Sequence, residues 1–401
     1  MATVLLIGTL DTKGDEYAFV RELIRARGHE VLVMDIGVLG EGSTTADVTA
    51  EQVAAAGGTS LEQLQQRRDR GAAVEAMLTG ARLLAKRLFG ERKFDGVLGL
   101  GGGGGTAVIT AAMRELPVGV PKVMVSTMAS GDTAPYVDVK DITMMYSVVD
   151  IAGLNPLSRR ILANAAGAIC GMVAQPLPDD RPQRPLIAAT MFGVTTPCVT
   201  AARERLERAG YDVLVFHATG SGGRAMEGLI ADGYFAGVLD VTTTEWCDEV
   251  VGGVLTAGPD RLSSAGRIGI PQVVSVGALD MVYFGAPDTV PSRFAGRTFY
   301  HHNPTVTLMR TTADECREIG RRIAAQLNRA SGPVTILLPL RGVSMVDAPN
   351  QPFHDEQADR ALFDALREHA RAPVRIRELD AHINDPEFSH ALADELLALL
   401  A

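Results

Sequence analysis

Apolar and polar positions along this chain switch repeatedly between two periods. Short runs rich in β-branched residues alternate with longer stretches whose apolar residues recur at helical spacing, the pattern of an α/β protein built on a parallel sheet. Val4 to Ile7 reads as the first buried strand. Asp11 to Asp15 reads as a polar turn, and Glu16 to Ala26 as a helix with Tyr17, Val20, Leu23 and Ile24 on one stripe, stopped by Gly28. Val31 to Asp35 is the second strand. A charge-rich helical region follows over about Leu61 to Phe89. The strand Gly96 to Leu100 then runs into Gly101–Gly105, a helix opens near Thr106, and Lys122 to Ser126 forms a further strand.

The plan then repeats. Gln175 to Pro185 holds Pro176, Pro178, Pro182 and Pro185 among charged residues, too many missing donors for a helix or a central strand, so a linker is expected there between domains 1–178 and 185–401. Beyond it come a strand (Leu186 to Thr190), a helix (Pro197 to Ala209) and a strand (Val213 to His217). Gly28-His29-Glu30-Val31 matches Gly210-Tyr211-Asp212-Val213, Phe94 to Leu98 matches Phe235 to Leu239, and Val120 to Val123 matches Ile270 to Val273. The spacing shrinks along the way because the long helical insert of the first half is missing from the second. The expected fold is therefore two Rossmann-like, doubly wound parallel-sheet domains facing a central cleft, with ligands beyond the carboxyl ends of the strands.

Composition narrows the function. A length of 401 residues suggests two or three domains, and 46% apolar with 21% charged residues is ordinary globular usage. The net charge of −10, without a Lys/Arg cluster, argues against a nucleic-acid surface, so an anionic ligand has to be held locally. The first residues lack a basic flank and read as a strand, not a signal peptide, and no run reaches the roughly 18 apolar residues of a membrane span. Cys170, Cys198, Cys247 and Cys316 form no C-x-x-C pair, which argues against a disulfide framework or a zinc site and points to the cytoplasm.

Two constellations carry candidate chemistry. In the first, Gly101, Gly102, Gly103, Gly104, Gly105 and Thr106 link a strand to a helix, so that backbone amides and the helix dipole offer a phosphate cradle; the plain alternative is a tight turn. Thr9, Asp11, Thr12 and Lys13 after the first strand, and Ser126, Thr127, Ser130 and Gly131 after a later one, are expected to flank it, with Lys13 as a phosphate partner. Asp11 and Asp132 are candidate Mg²⁺ ligands, Asp11 reading equally well as a helix cap.

In the second half, His217 ends a strand, Gly220 to Gly223 form a loop, and Arg224 and Glu227 follow on a helix. Glu245 opens onto the same edge after Thr242-Thr243-Thr244 and reads either as a general base or metal ligand, or as a complement to the helix dipole. Together they predict a site for a small anionic ligand in which His217 is the general acid or base, with Arg224, Glu227 and Glu245 as the other catalytic candidates. His382 reads as a capping or interface residue.

These segments, with Gly153-Leu154-Asn155, Arg160 to Gly167, His302-Asn303-Pro304, Thr307 to Thr311, Pro339 to Ser344 and His382 to Pro386, resemble in the same order the ATP-binding domain family named after the tomato mosaic virus resistance protein. The resemblance spans essentially the whole chain. It implies two Rossmann-like domains, a homodimer, and ATP with Mg²⁺ on the N-terminal half. The plant member continues into a TIM barrel, whereas this chain stops at Ala401, so a separate TIM-barrel protein is a candidate partner. No reaction is implied. Two functions are expected from the whole reading: an enzyme acting on a small anionic metabolite, or a non-catalytic nucleotide-responsive module.

Overall fold

The computed structural model describes residues 1–40, 42, 44–176 and 184–401. It divides into two compact units, Met1–Asp180 and Arg181–Ala401. Of the expected linker, Pro178 and Pro182 lie outside the described residues; before them the last helix of the first unit ends at Ala174.

The first unit runs β1 (Thr3–Gly8), α1 (Leu10–Arg25), β2 (Glu30–Asp35), α2 (Ala50–Ala56), α3 (Leu61–Arg67), α4 (Arg70–Gly90), β3 (Gly96–Gly101), α5 (Gly103–Arg114), β4 (Lys122–Ser126), α6 (Ala134–Val137), β5 (Thr143–Tyr146) and α7 (Pro156–Ala174). Its strands are all parallel in the order 2-1-3-4-5. Alternate strand residues serve opposite faces. Leu5 and Ile7 pack with Met77, Leu84 and Ile109 from α4 and α5, while Leu6 packs with Val20, Ile24 and Leu162 from α1 and α7. Two boundaries differ from the sequence reading. The expected turn at Asp11 to Asp15 is the first part of α1, bent at Lys13 (φ −134°, ψ 24°), and α5 opens at Gly103, inside the glycine run.

The second unit contains β6 (Leu186–Met191), α8 (Thr196–Arg208), β7 (Asp212–His217), α9 (Ser221–Ala231), β8 (Gly237–Thr242), α10 (Glu245–Val251), α11 (Ser264–Ile268), β9 (Gln272–Gly277), β10 (Met281–Phe284), β11 (Phe299–Asn303), β12 (Val306–Arg310), α12 (Ala313–Leu327), β13 (Val334–Pro339), α13 (Glu356–His369), β14 (Val374–Leu379) and α14 (Pro386–Leu400). Its parallel sheet has the order β14-β13-β9-β8-β6-β7, which counted within the unit is again 2-1-3-4-5 with a sixth strand added. Strands β10, β12 and β11 form a separate antiparallel sheet that the sequence reading did not anticipate. Helices α8 and α14 cover one face of the parallel sheet, and α12 with α13 the other. Three helices, α2 to α4, connect β2 to β3, where α9 alone connects β7 to β8; this is the insert.

In an open sheet of this order, the loops after the first and third strands diverge and leave a crevice at the carboxyl edge. Tyr17 marks that point in the first unit. Fully buried, it donates its hydroxyl to Ile7 O (2.5 Å) and accepts from Leu100 N (2.7 Å), bridging β1 and β3 beyond their last paired residues, Ile7 and Gly99. Its ring fills the space where Gly8 would carry a Cβ.

Candidate functional site

A cleft of about 800 Å³ opens at this switch point. One wall is the glycine run. Gly102 is the N-cap of α5, no side chain caps the helix, and the amides of its first turn are therefore left without the usual side-chain acceptor. None of Gly101 to Gly105 has positive φ. A Cβ on Gly101 would press on Gly105, 3.1 Å away, but on Gly102, Gly103, Gly104 or Gly105 it would meet nothing closer than 3.8 Å. Glycine costs a helix about 1 kcal/mol per residue relative to alanine. The fold gives no return for the three that stand inside α5, Gly103 to Gly105, so their use lies in bare backbone facing the cleft.

The flanking loops divide. Thr9, Asp11, Thr12 and Lys13 line the cleft, and the Thr9 and Thr12 hydroxyls are bonded at 2.9 Å. Lys13 is committed elsewhere, donating its ammonium to Ile151 O at 2.5 Å. Asp11 is not a helix cap: its Oδ2 accepts from the amides of Val38 (2.9 Å) and Leu39 (2.8 Å), while Oδ1 is buried without a partner among the described residues. The loop after β4 contributes less. Ser126 is buried and bonded to the Thr106 hydroxyl (2.7 Å) and the Met128 amide (3.0 Å), leaving Thr127 and Met128 beside Gly102 and Gly103. Ser130, Gly131 and Asp132 are exposed and outside the cleft lining, and Asp132 accepts from the Ala134 amide (3.0 Å). Asp11 lines the cleft and Asp132 does not, and among the described residues no three His, Cys, Asp or Glu side chains form a metal cage.

The opposite wall comes from the insert and was missed by sequence reasoning. Leu64, Gln65, Arg68, Asp69, Arg70, Ala73, Val74 and Met77 line it, joined by Ile36, Val38 and Leu39 after β2. This wall combines apolar side chains with two arginines. Asp35, at the end of β2, accepts from the amides of Leu10 (3.0 Å) and Gly37 (2.8 Å), and burial raises its pKa.

The second constellation assembles differently from its expectation. The Gly220 and Gly223 amides do hold a carboxylate, but it is the protein's own: Glu245 Oε1 accepts from both, at 2.7 and 3.1 Å. Glu245 Oε2 takes Arg261 Nε at 2.6 Å. Arg261, 1% exposed, is also gripped by Asp240 through two bonds of 2.5 and 2.7 Å and by Glu227 at 3.3 Å. Burial pulls the guanidinium pKa down, but the three carboxylates outweigh it and hold the group charged. The remaining Glu227 bonds go to the amides of Leu262 (2.6 Å) and Ser264 (2.8 Å). Glu227 and Glu245 are thus structural ligands of an internal arginine, not free bases. Exposed His217 packs its ring 5.3 Å from that of Phe192, and exposed Arg224 donates to Thr256 O (3.1 Å). Arg261 lay unnoticed because it falls in an irregular loop with no periodic pattern around it.

A second internal cluster surrounds Arg310, which bonds Asp359 at 2.7 Å and lies 3.4 Å from Asp347. Nearby Asp280 accepts from Ser344 Oγ at 2.7 Å. Burial pushes Asp280 up to about 6 and Asp347 up to about 9. His382 bonds Ser344 O through Nε2 (2.9 Å) and the Asn384 amide through Nδ1 (3.1 Å), so it braces this loop pair.

Residues 2–178 match the N-terminal domain, and residues 184–400 the C-terminal domain, of the family described as Uncharacterised protein family (UPF0261). A UPF0261 protein of Clostridium tetani is 54% identical over 398 residues, covering 99% of this chain and 98% of the relative. The ToMV resistance protein Tm-1(GCR237) of Solanum lycopersicum is 41% identical over 420 residues; the match covers 99% of this chain but 55% of the plant protein. Among solved structures, Acinetobacter baumannii MurG aligns over 99% of this chain and 100% of that chain at 12% identity and a TM-score of 0.23, too loose a superposition to bear on function. The resemblance carried by the glycine run and the motifs after it is borne out along both units: the chain belongs to the UPF0261 family.

Proposed function

We propose that this protein binds ATP in the N-terminal cleft and works as a nucleotide-responsive module. The observation that supports it is the absence of any internal reason for Gly102 to Gly105. Their backbone would hold phosphates at the start of α5, with the Thr9 and Thr12 hydroxyls beside them, while Ile36, Val38, Leu64, Val74 and Met77 offer an apolar bed for the base. The cleft volume of about 800 Å³ falls in the range that encloses ligands of this size. Mg²⁺ would enter with the nucleotide, because this ion is ordinarily held by one or two carboxylates together with phosphates and water. Asp11 Oδ1, buried without a partner among the described residues, is a carboxylate oxygen of the cleft that fits the task.

The enzyme reading loses support from the second unit. Glu227 and Glu245, two of its catalytic candidates, are used up by Arg261 and by backbone amides. A homodimer and a separate TIM-barrel partner belong to the same proposal and rest on the family resemblance. A cytoplasmic location fits four cysteines that are all free and buried. Calorimetric titration of ATP, with and without Mg²⁺, tests the central claim: saturable one-site binding is expected, and no heat or shift in thermal midpoint at millimolar ATP would overturn it.

A further inference from the structure

We infer that Arg68 and Arg70, on the turn between α3 and α4, read the outer phosphates of a polyphosphate ligand, which makes the helical insert the charge-selective element of the protein. The inference rests on the proposed nucleotide site and adds the groups that select within it. Both arginines line the cleft with exposed side chains, and neither has a hydrogen bond or ion pair among the described residues. Arg70 leans toward the glycine run: an atom at the Cβ position of Gly104 would lie 3.8 Å from its Nη2.

Their turn is built, not slack. Ser60 caps α3, accepting from the Gln63 amide at 3.2 Å, and Asp69 caps α4, accepting from the Gly71 and Ala72 amides at 2.9 and 3.1 Å. Between the caps Arg68 sits in the left-handed region (φ 52°), a conformation that a side chain of its size rarely takes. The cleft also needs a cation from somewhere. Lys13 turns one ammonium N–H to Ile151 O, and the whole chain carries a charge of −10, so Arg68 and Arg70 are the cationic side chains of the cleft wall without a partner among the described residues. A guanidinium suits the role because its planar fork pairs with two phosphate oxygens at once.

An anion held only by the glycine amides needs one phosphate. An anion that also reaches the arginines needs a longer polyphosphate. Calorimetry with ATP, AMP and inorganic tripolyphosphate on the full chain tests this in the wild type, Arg68→Ala, Arg70→Ala, Arg70→Lys and Gly103→Val. Each alanine variant should weaken ATP and tripolyphosphate about tenfold and leave AMP within about twofold, with Arg70→Lys between it and the wild type. Gly103→Val should weaken all three ligands. Equal losses for ATP and AMP in Arg70→Ala, or no loss at all, would overturn the inference while leaving the nucleotide site in place. A wild-type chain that binds neither ATP nor tripolyphosphate would overturn both.

Discussion

The two glycine loops of this protein look alike in sequence and do opposite things. Each follows a parallel strand and opens a helix, and each offers amides to an anion. In the second unit every glycine answers to the protein itself. A Cβ on Gly220 would lie 2.7 Å from Thr256 O, on Gly222 1.9 Å from His217 O, and on Gly223 2.3 Å from Glu245 Oε2. The anion is Glu245, supplied from within and neutralised by a buried arginine. In the first unit a Cβ on Gly102 to Gly105 would meet nothing closer than 3.8 Å, and these residues line a cleft whose wall also carries two arginines. A glycine loop whose residues have internal work is part of a fold; one whose residues have none is a candidate ligand site.

The largest effect should come from emptying the filled loop. Glu245→Ala leaves Arg261 with one fewer counter-ion and two buried amides without acceptors, and losses of a buried ionic partner typically cost about 3 to 5 kcal/mol. Trp246, the sole tryptophan and 3% exposed, adjoins the site, so its fluorescence reports unfolding of this unit alone. The tryptophan transition is expected to shift to much lower denaturant while ATP affinity stays unchanged. A transition within about 0.5 kcal/mol of wild type would mean that the second loop does not depend on its internal anion.

The second prediction concerns pH. The carboxyls of Asp347 and Asp248 are pushed up to about 9 and about 8 by burial. The folded unit therefore keeps protons that the unfolded chain releases near pH 4. A raised carboxyl pKa contributes stability that is complete below the unfolded value and is lost as pH rises through the folded one, here from about 4 to about 9, at up to about 1.4 kcal/mol per pH unit for each proton retained. The tryptophan-reported stability should fall between pH 6 and pH 9, and Asp347→Asn should flatten the slope. A wild-type profile that rises over that interval would contradict the assignment.

Filling the open loop should be smaller in stability and visible in binding. Gly103→Val places its side chain where nothing stands within 3.8 Å and removes a poor helix former, so the thermal midpoint should hold or rise slightly. ATP affinity should drop at least about tenfold, roughly 1.4 kcal/mol, because the backbone no longer meets the phosphate closely. Unchanged affinity in a folded variant would turn the run back into a turn with no ligand.

Much of this contrast is legible in the sequence, and the missing part is of one kind. The repeat from Gly28 to Gly210 gave both sheets, since strand and helix periods are local properties. That the amides of the second loop take an anion was also readable. What could not be read is that the second loop is filled from within, because Glu245, Arg261 and Asp240 reach one another across 16 and 21 residues of chain through a loop without periodicity. The insert's charged run was likewise read as a helical region, although its turn supplies Arg68 and Arg70 to the cleft. Burial of an arginine, or aim of one into a pocket, is a property of tertiary packing that charge patterning along a single chain does not encode.

The smallest effect is expected at His217, the residue that the sequence pattern singles out most strongly. As a general acid or base it should be worth 10²- to 10⁴-fold in turnover. In the structure it is exposed on β7, the edge strand of its sheet, and its ring packs 5.3 Å from the neighbouring Phe192 ring. Glu227 and Glu245, the carboxylate candidates of the same site, are turned toward Arg261 instead. A surface substitution outside a buried network usually changes stability by no more than about 0.5 kcal/mol. His217→Ala should therefore leave both the tryptophan transition and ATP affinity at wild-type values. If an ATP-dependent turnover is found and this variant lowers it a hundredfold or more at unchanged ATP affinity, the second unit is catalytic after all, and the contrast between a filled structural loop and an open ligand loop fails at its second term.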